Sequence, residues 1–191
     1  EYTRTVFFPP YPYVGDAAIQ VGLYSPTDQK RVPLSGEDTG QRAYRVARFQ
    51  LLPQTENLFS VYKDGWHPAE TAANDGSNEW QWTKKEATLA FKNPKKDAAF
   101  YLDLDSPGPE RNSEQQGRVT LGGRAIDEFT LAPNHRLLRK LALPSSSLGT
   151  EDMAELQIGV DKTFVPAQVN PAGSKDIRER GVRVFHGHVG A

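Results

Sequence analysis

Two carboxylates and two imidazoles stand at spacings that chemistry uses. Asp103 and Asp105 alternate with leucines in "AAFYLDLDS". On an extended chain they share one side, about 7 Å apart by strand rise. Paired carboxylates can work on a glycosidic bond as acid and base, or contribute to a calcium shell. His186 and His188, in "GVRVFHGHVG", also share a strand side. His-x-His serves metals in jelly-roll enzymes when neighbouring strands add a third and fourth ligand. Here His67, His135 or scattered acids would have to supply those ligands, and none forms an obvious array. The third group is Trp66, Trp80 and Trp82. Trp80 and Trp82 share a strand side, so their rings either form a platform for a sugar or partner chain or disappear into one sheet's core.

The elements that carry these residues decide between such readings. Period-two alternation dominates the chain. Phe100, Leu102 and Leu104 alternate with Tyr101, Asp103 and Asp105, which places both aspartates on a solvated face opposite a leucine stripe. A carboxyl in water keeps an ordinary pKa, so the pair reads as a wet face and not as a catalytic dyad. His186 and His188 lie near the last strand and read as a surface pair. Gln81 and Thr83 on the opposite side favour burial of Trp80 and Trp82. Trp66 and His67, on a polar loop, are the better exposed candidates.

In 191 residues, Lys plus Arg total 23 against 24 Asp plus Glu, a net charge of -1. That balance gives no basic face for nucleic acid. Cysteine is absent, which removes disulfides, zinc-thiolate sites and a cysteine nucleophile. No apolar run reaches the ~18 residues of a membrane span. Neither a Gly-x-Ser-x-Gly elbow nor a phosphate-cradling glycine loop occurs, so no catalytic residue, metal or cofactor is expected. The chain opens at Glu1 and its only methionine is Met153, so a signal peptide, anchor or further domain upstream is expected.

Short alternating runs separated by Gly, Pro and Asn predict an all-β fold of two antiparallel β-sandwiches with little helix. Residues 1–64 give about four strands in the manner of an Ig-like half-sandwich. Residues 65–191 give six or seven more, jelly-roll-like. The polar stretch 65–79, "GWHPAETAANDGSNE", reads as a surface loop and the boundary. Residues 78–108 read as a hairpin, with "NPKKDA" as its lysine-bearing turn. "LGGR" at 121–124 is a tight hairpin turn. Within "PSSSLGTEDMAEL", Ser146 or Ser147 could cap a turn of helix before Gly149.

Several stretches carry a resemblance. "TRTVFFPPYPYVGDAAIQVGLYSPTDQKRVPL", "DGWHPAE", "EWQWTKKEATLAFKNPKKDAAFYLDLD", "VDKTFVPAQV" and "DIRERGVRVFHGHV" together span nearly the whole chain. They resemble the extracytoplasmic, β-rich C-terminal regions of bacterial dolichyl-phosphate-mannose mannosyltransferase-like membrane proteins. The multi-pass catalytic portion of such proteins has no counterpart here, so the resemblance carries over no catalytic residue. It implies a non-catalytic module on the periplasmic or extracytoplasmic face of a bacterial cytoplasmic membrane. The leading expectation is a structural or accessory subunit docked on an integral-membrane complex, energy-transducing or glycan-synthesising. Its contacts would be Trp66 on the loop 65–79 and the rigid aromatics Phe8, Tyr11 and Tyr13 of "FFPPYPYVG". The alternative is a carbohydrate-binding module that stacks a glycan on Trp66, Trp80 or Trp82.

Overall fold

The computed structural model describes residues 14–25, 27–52, 58–73, 75–106 and 114–190. The protein is all-β and divides into two compact units, Glu1–Asn57 and Leu58–Ala191. The division falls before residue 64 because Ser60–Tyr62, grouped with the first half in the sequence, pairs with Glu86–Lys92 of the second unit.

The first unit holds β1 (Gly15–Val21), β2 (Leu23–Tyr24), β3 (Arg31–Val32), β4 (Glu37–Asp38) and β5 (Tyr44–Leu51). Strands β1, β5 and β4 form an antiparallel sheet, and β2 and β3 form a short ribbon. The β1–β5 pairing skips Val46, which is 60% exposed. Among the described residues of this unit only Tyr44 is buried. Arg45 and Arg48 both reach Glu37, at 2.7 and 3.7 Å.

The second unit is a jelly-roll-like sandwich of two five-stranded sheets. Its strands are β6 (Ser60–Tyr62), β7 (Glu70–Ala72), β8 (Asp75–Trp82), β9 (Glu86–Lys92), β10 (Ala98–Asp105), β11 (Gln115–Leu121), β12 (Arg124–Leu131), β13 (Arg136–Leu143), β14 (Met153–Val160) and β15 (Arg183–Gly190). One sheet has the order β13-β10-β15-β8-β7 and the other β12-β11-β14-β9-β6. Inward alternation builds the core between them. Phe100, Leu102 and Leu104 of β10 and Val182, Val184 and Val189 around β15 meet Leu89 and Phe91 of β9, Val119 and Leu121 of β11, and Leu156 and Ile158 of β14. The "LGGR" turn is as expected: Gly122 and Gly123 both take positive φ, 56° and 80°, the requirement of a two-residue turn whose twist matches its strands.

The stretch 78–108 is not a hairpin. Strand β8 lies in one sheet, β9 in the other and β10 back in the first, so residues 83–85 and 93–97 are crossings between layers. Alternation continues through such crossings, and a single chain does not show which sheet receives each run. Buried Asn93 anchors the second crossing. Its Nδ2 donates to the carbonyls of Leu148, Gly149 and Glu151 at 3.1, 3.2 and 2.9 Å, and its Oδ1 accepts from Lys95 N at 2.8 Å. The serine segment forms only one 3-10 turn, Ser145–Ser147, without a side-chain cap. Asp97 instead accepts from Ser145 N at 2.8 Å. The one α-helical turn among the described residues, α1 (Pro166–Val169), starts where proline suits a first helical position.

The first crossing is woven tightly. Lys84 N donates to Gly65 O, Thr83 N to Val182 O, and Val182 N to the Thr83 hydroxyl at 3.0 Å. Gly65 has φ +84°, and a Cβ there would stand 1.9 Å from Glu86 O. A Cβ at Gly122 would meet nothing within 4 Å. Gly65→Ala is therefore expected to cost about 3 kcal/mol or more through overlap with backbone. Gly122→Ala should cost only about 1 kcal/mol of left-handed strain. Urea unfolding of the two variants separates these effects; equal losses would mean that the close approach at Gly65 is not a constraint.

Candidate functional site

Six of the side chains singled out by type, Asp103, Asp105, His186, His188, Trp80 and Trp82, share the outside of the sheet β13-β10-β15-β8-β7. Strand pairing arranges them in rows. One row runs Arg136, Asp105, Arg183, Trp82; the next runs Leu138, Asp103, His186; the third runs Lys140, Tyr101, His188. A bulge in β15 opposite Asp103/Leu104 admits Phe185, whose ring meets Trp80 edge-on at 6.1 Å between centroids.

The solvated face expected for Asp103 and Asp105 is not what forms. The two residues are only 6% and 7% exposed. Their strand is central, and both flanking strands carry arginines long enough to lie over it. Arg136 grips Asp103 with two bonds of 2.7 and 2.6 Å, and Arg183 grips Asp105 at 2.8 and 2.6 Å. These forks match the planar guanidinium to both carboxylate oxygens. Aromatic rings then cover the guanidiniums. Arg136 Cζ lies 3.7 Å from the Phe185 centroid, and Arg183 Cζ lies 4.7 Å from that of Trp80. Cation–π attraction of this kind gains when water is excluded.

Both oxygens of each aspartate accept from an arginine, so the pair is a structural ion-pair array and not an acid–base dyad. The Asp103 hydrogen bond raises the Arg136 pKa further above its ordinary value. Burial lowers the pKa of His186 and His188, which keeps both imidazoles neutral at pH 7. For His186 the charges of Asp103, Arg136 and Glu79 add smaller, opposing effects. No group of three or more His, Asp or Glu able to hold a metal ion forms among the described residues.

Trp82 is buried, at 4%, but not in the sandwich core. It lies opposite Arg183 on the outer side and is covered by Phe164 and Arg180, which belong to the arm between β14 and β15. Gln81 pairs with Val184 and Thr83 is fully buried, so the polar neighbours face the core and the tryptophans face out. Trp80 is half-buried, and its indole N–H has no acceptor among the described residues.

Trp66 and His67 are anchored where an open loop was expected. Trp66 is half-buried, donates from Nε1 to Thr88 O at 2.8 Å, and packs edge-on against Tyr62. His67 is 9% exposed, and its Nε2 lies 2.6 Å from Glu179 O. The stretch 65–79 also contributes β7 and the start of β8. Phe8, Tyr11 and Tyr13 lie outside the described residues.

The arm is fastened by ions as well as rings. Arg178 reaches both Glu70 and Asp176 at 2.7 Å, and Arg180 also bonds Asp176. The Arg178 hydrogen bond holds the Asp176 carboxyl far below the usual carboxylate range. On the other sheet, a depression of about 470 Å³ is lined by Lys85, Glu86, Arg118, Glu128, Gly159 and Asp161 among others, with no aromatic side chain.

Arg136, Lys140, Arg183, Phe185 and Tyr101 did not stand out in the sequence as site residues. A signal existed: "RLLRK" puts Arg136 and Lys140 on one side of a strand, and "RVFHGH" sets Arg183 with Phe185 and His186 with His188 at period two. The β13-β10-β15 order that sets them beside the aspartates does not follow from either segment alone.

Arg136→Met would strand the Asp103 carboxylate. A fully buried pair broken on one side loses ~3–5 kcal/mol, and the half-exposed Arg136 reduces the expected loss to ~2 kcal/mol. Asp103→Asn with Arg136→Met should recover part of that loss. Chemical denaturation of both variants measures it; an unchanged single variant would show the pair to be dispensable.

No known protein family matches the sequence, and no curated protein does. Solved structures with similar sheets include a family GH115 4-O-methyl-α-glucuronidase with specificity for decorated arabinogalactans. That likeness has 16% identity and a TM-score of 0.43, over 68% of this chain; the chain spans 16% of that enzyme's length. A family 35 carbohydrate-binding module from an environmental isolate has 8% identity and a TM-score of 0.42, covering 70% of this chain and 92% of its own. The CBM36-1 domain of a xylanase from the hindgut metagenome of Trinervitermes trinervoides has 7% identity and a TM-score of 0.39, covering 71% and 98%.

Proposed function

We propose that the second unit is a non-catalytic glycan-binding module and that the ligand lies across the face of β10, β15 and β8. The observation that carries this reading is the contrast between the two outer faces of one sandwich. Outward positions of β11 and β14, such as Gln116, Arg118, Glu155 and Gln157, are exposed and polar. On the other sheet, β10, β15 and β8 carry half-buried rings outward: Tyr101, Trp80, Phe185, His186 and His188. Sugar rings present apolar C–H faces that stack on aromatics and hydroxyls that both donate and accept. Neutral imidazoles and the Tyr101 hydroxyl offer both kinds of partner. The ion pairs beneath hold the rings in place before any ligand arrives, which reduces the ordering cost of binding.

A second reading concerns the first unit. Val14, Val46 and Leu52 are exposed on a unit with a single buried residue among those described. Apolar surface on so small a sheet favours a partner protein. That agrees with an accessory module docked on a membrane-associated complex, and the two readings apply to different units.

Tryptophan fluorescence tests the first reading. Titration with a panel of oligosaccharides is expected to shift emission in the wild type and in Trp66→Phe, and to leave Trp80→Phe with little response. Silence of all three proteins across the panel would exclude the glycan reading. For the second, the Val46→Lys variant is expected to lose co-purification with detergent-solubilised membrane complexes; retention would count against docking through this sheet.

A further inference from the structure

Resting on the glycan reading, we infer that the preferred ligand is acidic, a carboxylate- or sulfate-bearing sugar chain, and that Lys140 receives its anionic group. Charge on this face is layered. Asp103 and Asp105 form the lower layer, with side chains 9% and 10% exposed. Their partners lie above: the Arg136 side chain is 45% exposed and that of Arg183 is 22% exposed. A ligand arriving from solvent therefore meets guanidinium before carboxylate. Both carboxylates have their oxygens committed, so neither is left to repel an anion at short range.

Among the described residues, Lys140 extends this layer without a counter-ion. Its ammonium lies 5.4 Å from the Tyr101 ring centroid, and no acidic side chain among the described residues is within ion-pair distance of it. Tyr101 pairs with Lys140 on one side and His188 on the other, so cation, phenol and neutral imidazole stand in one row across three strands. Arg136, Arg183 and Lys140 against Asp103 and Asp105 leave this patch with one excess positive charge. The nearest acidic group toward β8 is Glu79, whose charge acts on His186, and Glu70 at the far edge is held by Arg178. The face is thus polarised: its rings are shared along its length, and its uncompensated cation is at the Tyr101 end. A sugar stacked on the rings with its anionic group at that end gains a charge-assisted hydrogen bond that a neutral sugar lacks.

Calorimetry on the full chain tests this with three probes: an oligogalacturonate, a chondroitin sulfate oligosaccharide and a neutral galacto-oligosaccharide. At least one acidic probe is expected to bind on the order of tenfold more tightly than the neutral one. That advantage should shrink as salt rises from about 50 mM to about 500 mM. Lys140→Met keeps the aliphatic stem over Tyr101 and is expected to remove the advantage while leaving neutral binding unchanged. Equal affinity for all three probes, or an acid preference that survives in Lys140→Met, overturns the inference. If only the neutral probe binds, and Trp80→Phe weakens it, the acidic specificity fails and the glycan reading stands. If no probe binds, both fail.

Discussion

Two buried aspartates beneath two arginines organise the outer face of the sheet β13-β10-β15-β8-β7. Taking a carboxylate out of water costs several kcal/mol, and attraction to a guanidinium offsets that cost only when the geometry is good. The forks of Arg136 on Asp103 and Arg183 on Asp105 supply that geometry, with four bonds between 2.6 and 2.8 Å. Such arrays add little net stability compared with well-packed apolar side chains. Their effect here is positional. Each guanidinium is held in place by its carboxylate, and Phe185 and Trp80 lie against the held guanidiniums. Without the aspartates, the arginines would extend into solvent and the rings would lose their support.

The arm between β14 and β15 depends on the same lamination at one end of the face. Phe164 and Arg180 cover Trp82, while Arg178 and Arg180 meet Glu70 and Asp176. The contact between His67 and Glu179 O fastens the arm to the segment that precedes β7. Trp82 is thereby consumed in holding the arm, and Trp80 remains the half-buried tryptophan of the face. Two indoles two residues apart, identical by spacing, thus have different physical roles because different elements lie over them.

Alternation was enough to read the fold class and most of the core. Leu156, Ile158 and Val160 point inward, as their spacing requires, and "LGGR" could adopt few other shapes. What spacing could not supply was strand order. Asp103 and Asp105 alternate with buried leucines, so by period alone their side of β10 should be wet. The result differs because the long-range neighbours β13 and β15 carry Arg136 and Arg183. The same gap explains the missed crossing at 93–97: Asn93 looks like a turn residue, and its role follows only from carbonyls more than fifty positions later. Alternation sets Trp80 and Trp82 on one side of β8, but not which side, and here Gln81 and Thr83 face the core while the tryptophans lie on the outer side. Thr83 is buried because its hydroxyl accepts the Val182 N–H.

Stability and recognition are separable on this face because they use different cations. Arg136 and Arg183 are bound at both carboxylate oxygens, and their loss would disturb the rings and any ligand contact together. The Lys140 ammonium lies over the Tyr101 ring and has no ion-pair partner among the described residues, so its charge can be removed with little disturbance beneath. If the face binds a glycan as proposed, fixed lower pairs and one upper cation without an ion-pair partner among the described residues let its preferred charge change by substitution at that single position. It could not do so if Asp103 or Asp105 were themselves exposed, since an unmasked carboxylate would repel an anion whatever stood at position 140. Burial of the acids, which the alternation pattern hides, is therefore the condition on which the proposed preference for an acidic ligand rests.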